Sequence, residues 1–170
     1  YHTAAFVSAF AVARRFGLGR GFEVYDEDFG DERAERTAKE TTDRALKYLD
    51  GAATGPIFLW VHYYDPHYPY TPPEPYRTRF ANDLYRGEVA SMDEQLGRIV
   101  VAFEKRSPSA IVVVADHGEG LGEHGEQQHG NLLYQTTMHV PMVMVGPGFA
   151  TGTSETPVST RRIFHTILDW

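Results

Sequence analysis

The stretch Ala110 to His129, AIVVVADHGEGLGEHGEQQH, constrains the chain more than any other. It opens on β-branched residues, Ile111 to Val114, the composition of a buried strand. The run stops at Asp116-His117-Gly118, where a carboxylate and an imidazole stand side by side at the start of a glycine-rich loop. In open α/β sheets, ligands gather at the carboxyl ends of strands. The loop adds Glu119, Glu123, His124, Glu126 and His129 among Gly118, Gly120, Gly122 and Gly125. So many potential ligands on a loop anchored by a strand read as a metal or anion site. The competing reading is a solvated acidic loop that happens to contain histidines.

The remaining segments alternate between strand and helix patterns. His2 to Ala9 reads as a strand of small and β-branched residues. Arg14 to Phe22 is a glycine-set loop whose arginines either bind an anion or lie solvated near a turn. Tyr25 to Asp31 reads as an acidic surface turn, without the spaced ligands of a calcium-binding hand. Asp31 to Leu49 predicts a helix with an Ala34, Ala38, Ala45, Leu46, Leu49 stripe. Glu35–Lys39 and Glu40–Arg44 are expected to pair along it, and Gly51 to Pro56 to form its exit turn. Ile57 to Asp65 is a second buried strand, followed by a loop through Pro73 stiffened by prolines and rich in tyrosine. His62, at the carboxyl end of that strand, is equally a core histidine or a functional group.

Asn82 to Arg106 predicts the longest helix, with Leu84, Met92, Leu96, Ile99, Val100 and Phe103 on its buried face. Leu132 to Met138 reads as a short helix or turn, and Val140 to Val145 as another strand. Ser159 caps a last helix carrying Ile163, Ile167 and Leu168. This alternation argues for an α/β fold: a mostly parallel sheet flanked by helices.

Residues 1–170 suit a single domain, and a 42% hydrophobic content supplies its core. The net charge of −7 and the lack of a basic stripe argue against a nucleic-acid partner. The absence of cysteine excludes disulfides, thiolate zinc sites and a cysteine nucleophile within this chain. No apolar run approaches the roughly 18–20 residues of a membrane span.

A parallel sheet sets its strand ends side by side, so His62 and Asp116-His117 are expected to converge. Carboxylate oxygen beside imidazole nitrogen suits calcium, magnesium, manganese or zinc. His62, His124 and His129 could instead bind an anionic ester or protonate a leaving group. A metal with flanking imidazoles is equipment for displacing a sulfate or phosphate ester. The rivals lack support. There is no G-x-S-x-G elbow, Ser91 and Ser107 lie in or near helices, and HEXXH is absent.

WVHYYDPHYPYTPP, then VVVADHGEGLGEHGEQQHG, then HVPMVMVGPG resemble, in order and spacing, the sulfatase family of the alkaline-phosphatase superfamily. HTAAFVSAF and RRFGLGRGFEVYDEDF extend the resemblance over nearly the whole chain. It implies an alkaline-phosphatase-like fold and hydrolysis of sulfate or phosphate esters with one divalent metal, calcium first among the candidates. By resemblance Asp116 and His117 are metal ligands. His62 matches the histidine that contacts the sulfate or phosphate. His129, thirteen residues after Asp116, falls where many sulfatases carry a lysine for the same group. His124 is loop support.

Histidine at position 129 is similar to the phosphoethanolamine and lipoteichoic-acid transferase branch, which keeps a phosphotransferase open as an alternative. The family's early strand, with its further aspartates and its nucleophile element, has no counterpart here. The chain is therefore expected to be a catalytic domain incomplete at its N-terminus, holding half a metal site and inactive alone. The absent nucleophile also keeps open a non-catalytic metal- or anion-binding module. The family association points to a periplasmic, secreted or membrane-anchored setting outside the cytoplasm, on which the chain itself is silent.

Overall fold

Alternation of side chains along a strand decides what each face of a sheet can bury. In the computed structural model, β1 (His2–Phe6) lies at the centre of a three-stranded parallel sheet, ordered β2-β1-β3. Its partners are β2 (Val24–Asp26) and β3 (Ile57–Val61). The structure describes every residue except Ala52, Ala53, Ser107 and Trp170. Ser107, Trp170 and part of the turn expected over residues 51–56 therefore lie outside the described residues.

Ala4 and Phe6 of β1 join Leu59 and Val61 of β3 on one face. There they pack against Ala45 and Leu46 of α1 (Ala38–Gly51) and Ile99 of α3 (Leu84–Glu104). Alanine at positions 4 and 45 leaves room for close approach of helix and sheet. Ala5 and Val7 face the other way, with Tyr25, Phe29, Val12, Phe22 and Trp60. That cover comes from the irregular segment after β1, which contains short 3-10 turns at Phe10–Val12 and Arg14–Phe16. The described residues divide into two compact units, Tyr1–Lys105 and Arg106–Trp170.

Two expectations for the first unit need correction. Val24–Asp26 is a strand, not a surface turn, and Tyr25 is buried while its hydroxyl donates to Val12 O at 2.5 Å. Val24 and Tyr25 pack into different core clusters, and three residues are too few for alternation to give a signal. Helix α1 begins at Ala38, well after Asp31. Thr37 and Glu40 explain the start. Glu40 Oε2 accepts the Thr37 N–H at 2.9 Å, and Thr37 Oγ1 accepts the Glu40 N–H at 3.2 Å. This reciprocal capping satisfies N–H groups that a helix end leaves open. Glu35 thus falls outside the helix. Lys39 pairs with Asp43 at 2.7 Å, Glu40 with Arg33 at 2.9 Å, and Arg44 with Asp28 at 2.8 Å.

Arg36, just before the helix, is 3% exposed. Its guanidinium donates to the Asp26 carboxylate, to Asp26 O at 3.1 Å and to Asp28 O at 3.1 Å. Nε donates to Thr41 Oγ1 at 3.1 Å. A buried cation is tolerated only with such complete satisfaction.

The second unit holds an antiparallel pair, β4 (Ile111–Val114) and β5 (Met142–Val145), with Ile111 opposite Val145. Both strands were expected from their composition. They are half-buried to exposed and not deeply buried, because a two-stranded ribbon has little of its own to cover its faces. Helices α2 (Tyr76–Arg79), α4 (Gln135–Met138) and α5 (Ile163–Asp169) are short. Ser159 Oγ accepts the Arg161 N–H at 3.4 Å ahead of α5, as its capping role requires. No helix among the described residues is long and apolar enough to cross a membrane.

Removing Arg36 leaves Asp28 O without this donor, and leaves Asp26 with only Arg44 at its carboxylate and the Val7 N–H at its carbonyl. Arg36→Ala should cost about 3 kcal/mol. Lys39→Ala, at an exposed pair, should cost less than about 0.5 kcal/mol. Urea midpoints of the two variants check this, and equal midpoints would contradict it.

Candidate active site

A histidine's role depends on which ring nitrogen carries the proton, and its neighbours decide that. Asp116 and His117 follow β4. The Asp116 carboxylate is 81% exposed, and its Oδ1 accepts the His117 N–H at 3.0 Å. His117 Nδ1 lies 2.8 Å from Gly118 O. A carbonyl only accepts, so Nδ1 is protonated and Nε2 of the neutral ring keeps its lone pair. That nitrogen is 3.7 Å from Asp116 Oδ1, a gap one cation at about 2.0–2.5 Å from each atom can span. Metal-ligating histidines typically donate their other N–H to a carbonyl in this way. The pair fits a divalent cation as two of its donors. Among the described residues, no group of three or more His, Asp or Glu is arranged to hold a metal ion.

His129 comes to the same place. Its ring stacks on that of His117, centroids 3.9 Å apart, and its Nδ1 lies 3.0 Å from Glu119 Oε1. Glu119 is thereby almost fully enclosed, at 6% side-chain exposure. Glu126 is buried too, and accepts the N–H groups of Asn131 and Leu132, both at 3.1 Å. His124 lies flat on Tyr134 at 3.9 Å. These contacts make Glu126 and His124 part of the loop's own framework.

The glycines of this loop serve close approach. Gly118 N–H donates to Thr137 O at 2.8 Å, and a Cβ at Gly118 would meet Thr136 O at 2.0 Å. Any larger residue would push the two chain segments apart exactly where Asp116 and His117 are set.

His62 belongs to the first unit, one residue beyond β3. The Ser8 N–H donates to its Nδ1 at 3.4 Å. A main-chain N–H can only donate, so the proton of the neutral ring is on Nε2, opposite to His117. Its ring meets Trp60 edge-on at 6.1 Å. His62 is thus arranged as a donor, and His117 as a Lewis base.

The tyrosine- and proline-rich loop after β3 is tied down by a carboxylate that periodicity hid. Glu88 of α3 is buried, with Oε2 accepting the His67 N–H at 3.1 Å and Oε1 the Thr71 N–H at 2.6 Å. Glu88 stands four residues after Leu84 and four before Met92, on the helix's inward stripe. A charged residue on such a stripe needs partners, and that was the available signal. Burial pushes its carboxyl up to about 7 against the pull of both N–H groups, and Asp65 and Glu35 add to the rise. Asp65 Oδ2 accepts the Ala38 N–H at 2.5 Å, joining the end of β3 to the start of α1. Its carboxyl is also raised, chiefly by burial. His67 is engaged at both nitrogens, with Tyr68 O at 2.7 Å and the Tyr64 hydroxyl at 2.9 Å.

Arg14 and Arg15 after β1 find protein partners. Arg14 donates to Tyr25 O at 3.4 Å, and Arg15 lies over the rings of Phe10 and Phe16 at 5.4 and 5.5 Å.

The model of the family described as Sulfatase matches residues 11–170. An uncharacterized sulfatase, YidJ of Escherichia coli (strain K12), is 24% identical over 77% of this chain and 35% of its own. Arylsulfatase K of Homo sapiens is 33% identical over 51% of this chain and 17% of its own. A crystal structure of an alkaline phosphatase superfamily protein from Vibrio parahaemolyticus superposes with a TM-score of 0.56 at 19% identity. It covers 87% of this chain and 39% of that one, and it shows the fold. The chain spans between 17% and 39% of these proteins' lengths.

Two outcomes are expected from this geometry. Gly118→Ala should disrupt the loop, seen as lost hydrogen-exchange protection across residues 116–137; intact protection would refute the close-approach argument. Glu88 has a raised folded pKa, so its contribution to stability is full below the usual carboxylate value of 4.5 and is lost as pH rises through about 7. Between pH 5 and 8 the native protein should lose on the order of 2 kcal/mol more than Glu88→Gln. Urea titrations at both pH values measure this, and parallel slopes would argue against it.

Proposed function

The chain belongs to the sulfatase family, and from that premise we propose that the protein carrying it hydrolyses sulfate or phosphate esters with one bound divalent cation. The observation that carries this reading is the His117 tautomer beside Asp116. Nδ1–H is committed to Gly118 O, and Nε2 is left as a Lewis base 3.7 Å from a carboxylate oxygen. Asp116 and His117 would hold the cation, calcium first by family and magnesium, manganese or zinc as alternatives. When bound, it would stabilise negative charge developing on the transferred group.

The other side chains are assigned to the anion. His62, protonated at Nε2, donates a hydrogen bond to an ester oxygen, an interaction that strengthens as charge builds there. His129, in the second unit, is assigned to an anionic ester group by the same family resemblance. Glu119, 3.0 Å from Nδ1 of His129, fixes the orientation of its ring. Histidine at position 129, where many sulfatases carry a lysine, resembles the transferase branch of the superfamily, which keeps phosphate esters within the substrate class.

The test uses the full-length protein, an aryl sulfate and an aryl phosphate. Asp116→Ala should lower kcat about 100- to 1,000-fold and reduce the bound metal found by elemental analysis. Unchanged metal content would remove Asp116 as a ligand. Turnover of neither ester by the wild type, with metal present, would remove the hydrolase reading.

A further inference from the structure

We propose that Arg36, Thr41 and Ser8 form a buried positioning chain that holds His62 in one tautomer and one orientation. The inference rests on the reading of His62 as a contact for the anionic ester, and it names what prepares that contact.

The geometry gives the chain a single polarity. Ser8 Oγ lies 2.6 Å from His62 O, and a carbonyl only accepts, so the one hydroxyl proton of Ser8 goes there. Ser8 Oγ must then accept at its other close contact, Thr41 Oγ1, 2.8 Å away. Thr41 therefore turns its proton toward Ser8, in preference to the longer 3.1 Å contact with Thr37 O. Thr41 Oγ1 in turn accepts Arg36 Nε–H at 3.1 Å. Donation runs from guanidinium to threonine to serine and ends on the His62 carbonyl, which accepts. Each bond polarises the next in a low-dielectric interior.

Ser8 grips His62 twice. Its side chain holds the carbonyl and its main-chain N–H meets ring Nδ1 at 3.4 Å. A third bond, His62 N–H to Phe6 O at 2.9 Å, extends the β1–β3 pairing to this residue. The backbone is thus fixed on both sides and the ring is fixed by Nδ1. Ser8 and Thr41 are fully buried, so their hydroxyls must find partners, and they do so along this chain. Arg36 at its head also ties Asp26 and Asp28, and its Nε–H occupies the Thr41 oxygen so that the Thr41 hydroxyl turns to Ser8. What the polar chain adds is a fixed His62 carbonyl, which keeps the ring within reach of the Ser8 N–H.

The test reads the ring itself, by 15N shifts of His62 in the full-length protein, alongside kcat and KM for ester hydrolysis. Ser8→Ala and Thr41→Val should each release the His62 carbonyl, loosen the ring from the Ser8 N–H and so turn a single Nε2–H tautomer into a mixture. Each should lower kcat about tenfold to a hundredfold with a smaller change in KM. Thr41→Ser, which keeps the hydroxyl, should restore both. Should Ser8→Ala fail to fold, Thr41→Val, which keeps the shape of its residue, carries the test. An unchanged tautomer in the folded variants would overturn the proposal. His62→Gln tests the underlying reading separately: if it leaves kcat and KM untouched while the tautomer result stands, the substrate contact is wrong and the positioning chain is not.

Discussion

The parallel register of β1 on β3 is the constraint from which the first unit follows. Phe6 stands opposite Val61, so the chains leave the ladder together. Ser8 and His62 then emerge as neighbours although they are 54 positions apart. A slip of one residue would turn Leu59 and Val61 away from the helices and present Trp60 and His62 to them. Burial on both faces of β1 forbids that slip. The hydrophobic pattern of a few residues therefore sets the place of a polar side chain that contributes little to the core.

Around this register the protein uses buried charge as ties between segments. Arg36 joins the approach to α1 with the edge strand β2, and Glu88 joins α3 with the loop after β3. Neither is an economical way to gain stability, since desolvation opposes both. Each instead collects main-chain groups that irregular backbone would otherwise leave unsatisfied. For Glu88 the opposition is visible in its proton affinity, where burial outweighs two N–H donors. The loops at this end of the sheet are thus held by single side chains reaching out of regular elements.

Much of this was legible in the amino-acid order. The β-branched runs marked β1, β3, β4 and β5, and the apolar stripe marked α3. The Asp116-His117-Gly118 block marked the loop that carries the candidate ligands, and by resemblance the family. What escaped had weak local signal. Val24-Tyr25-Asp26 is a strand only because β1 offers it an edge, and nothing in three residues announces a parallel partner. The start of α1 was written in Thr37 and Glu40 but masked by the charged run ahead of them. Arg36 looked like one more solvated arginine, since its burial depends on Asp26 and Phe29 arriving from elsewhere in the chain. Side chains placed by neighbours distant in sequence are where reading along the chain gives out.

The link between Gly118 N–H and Thr137 O has a bearing on how proteins of this kind diversify. It ties the two ends of the excursion that carries Glu119, His124 and His129, making it a closed ring of chain hung from a fixed point. Lengthening such a ring is inexpensive, since doubling its length adds only about 0.6 kcal/mol of closure entropy. Asp116 and His117 stand just outside the tie, and the His117 ring rests on His129 within it. Length can therefore be added to the ring away from His129 at little cost while the Gly118 tie keeps Asp116 and His117 in register.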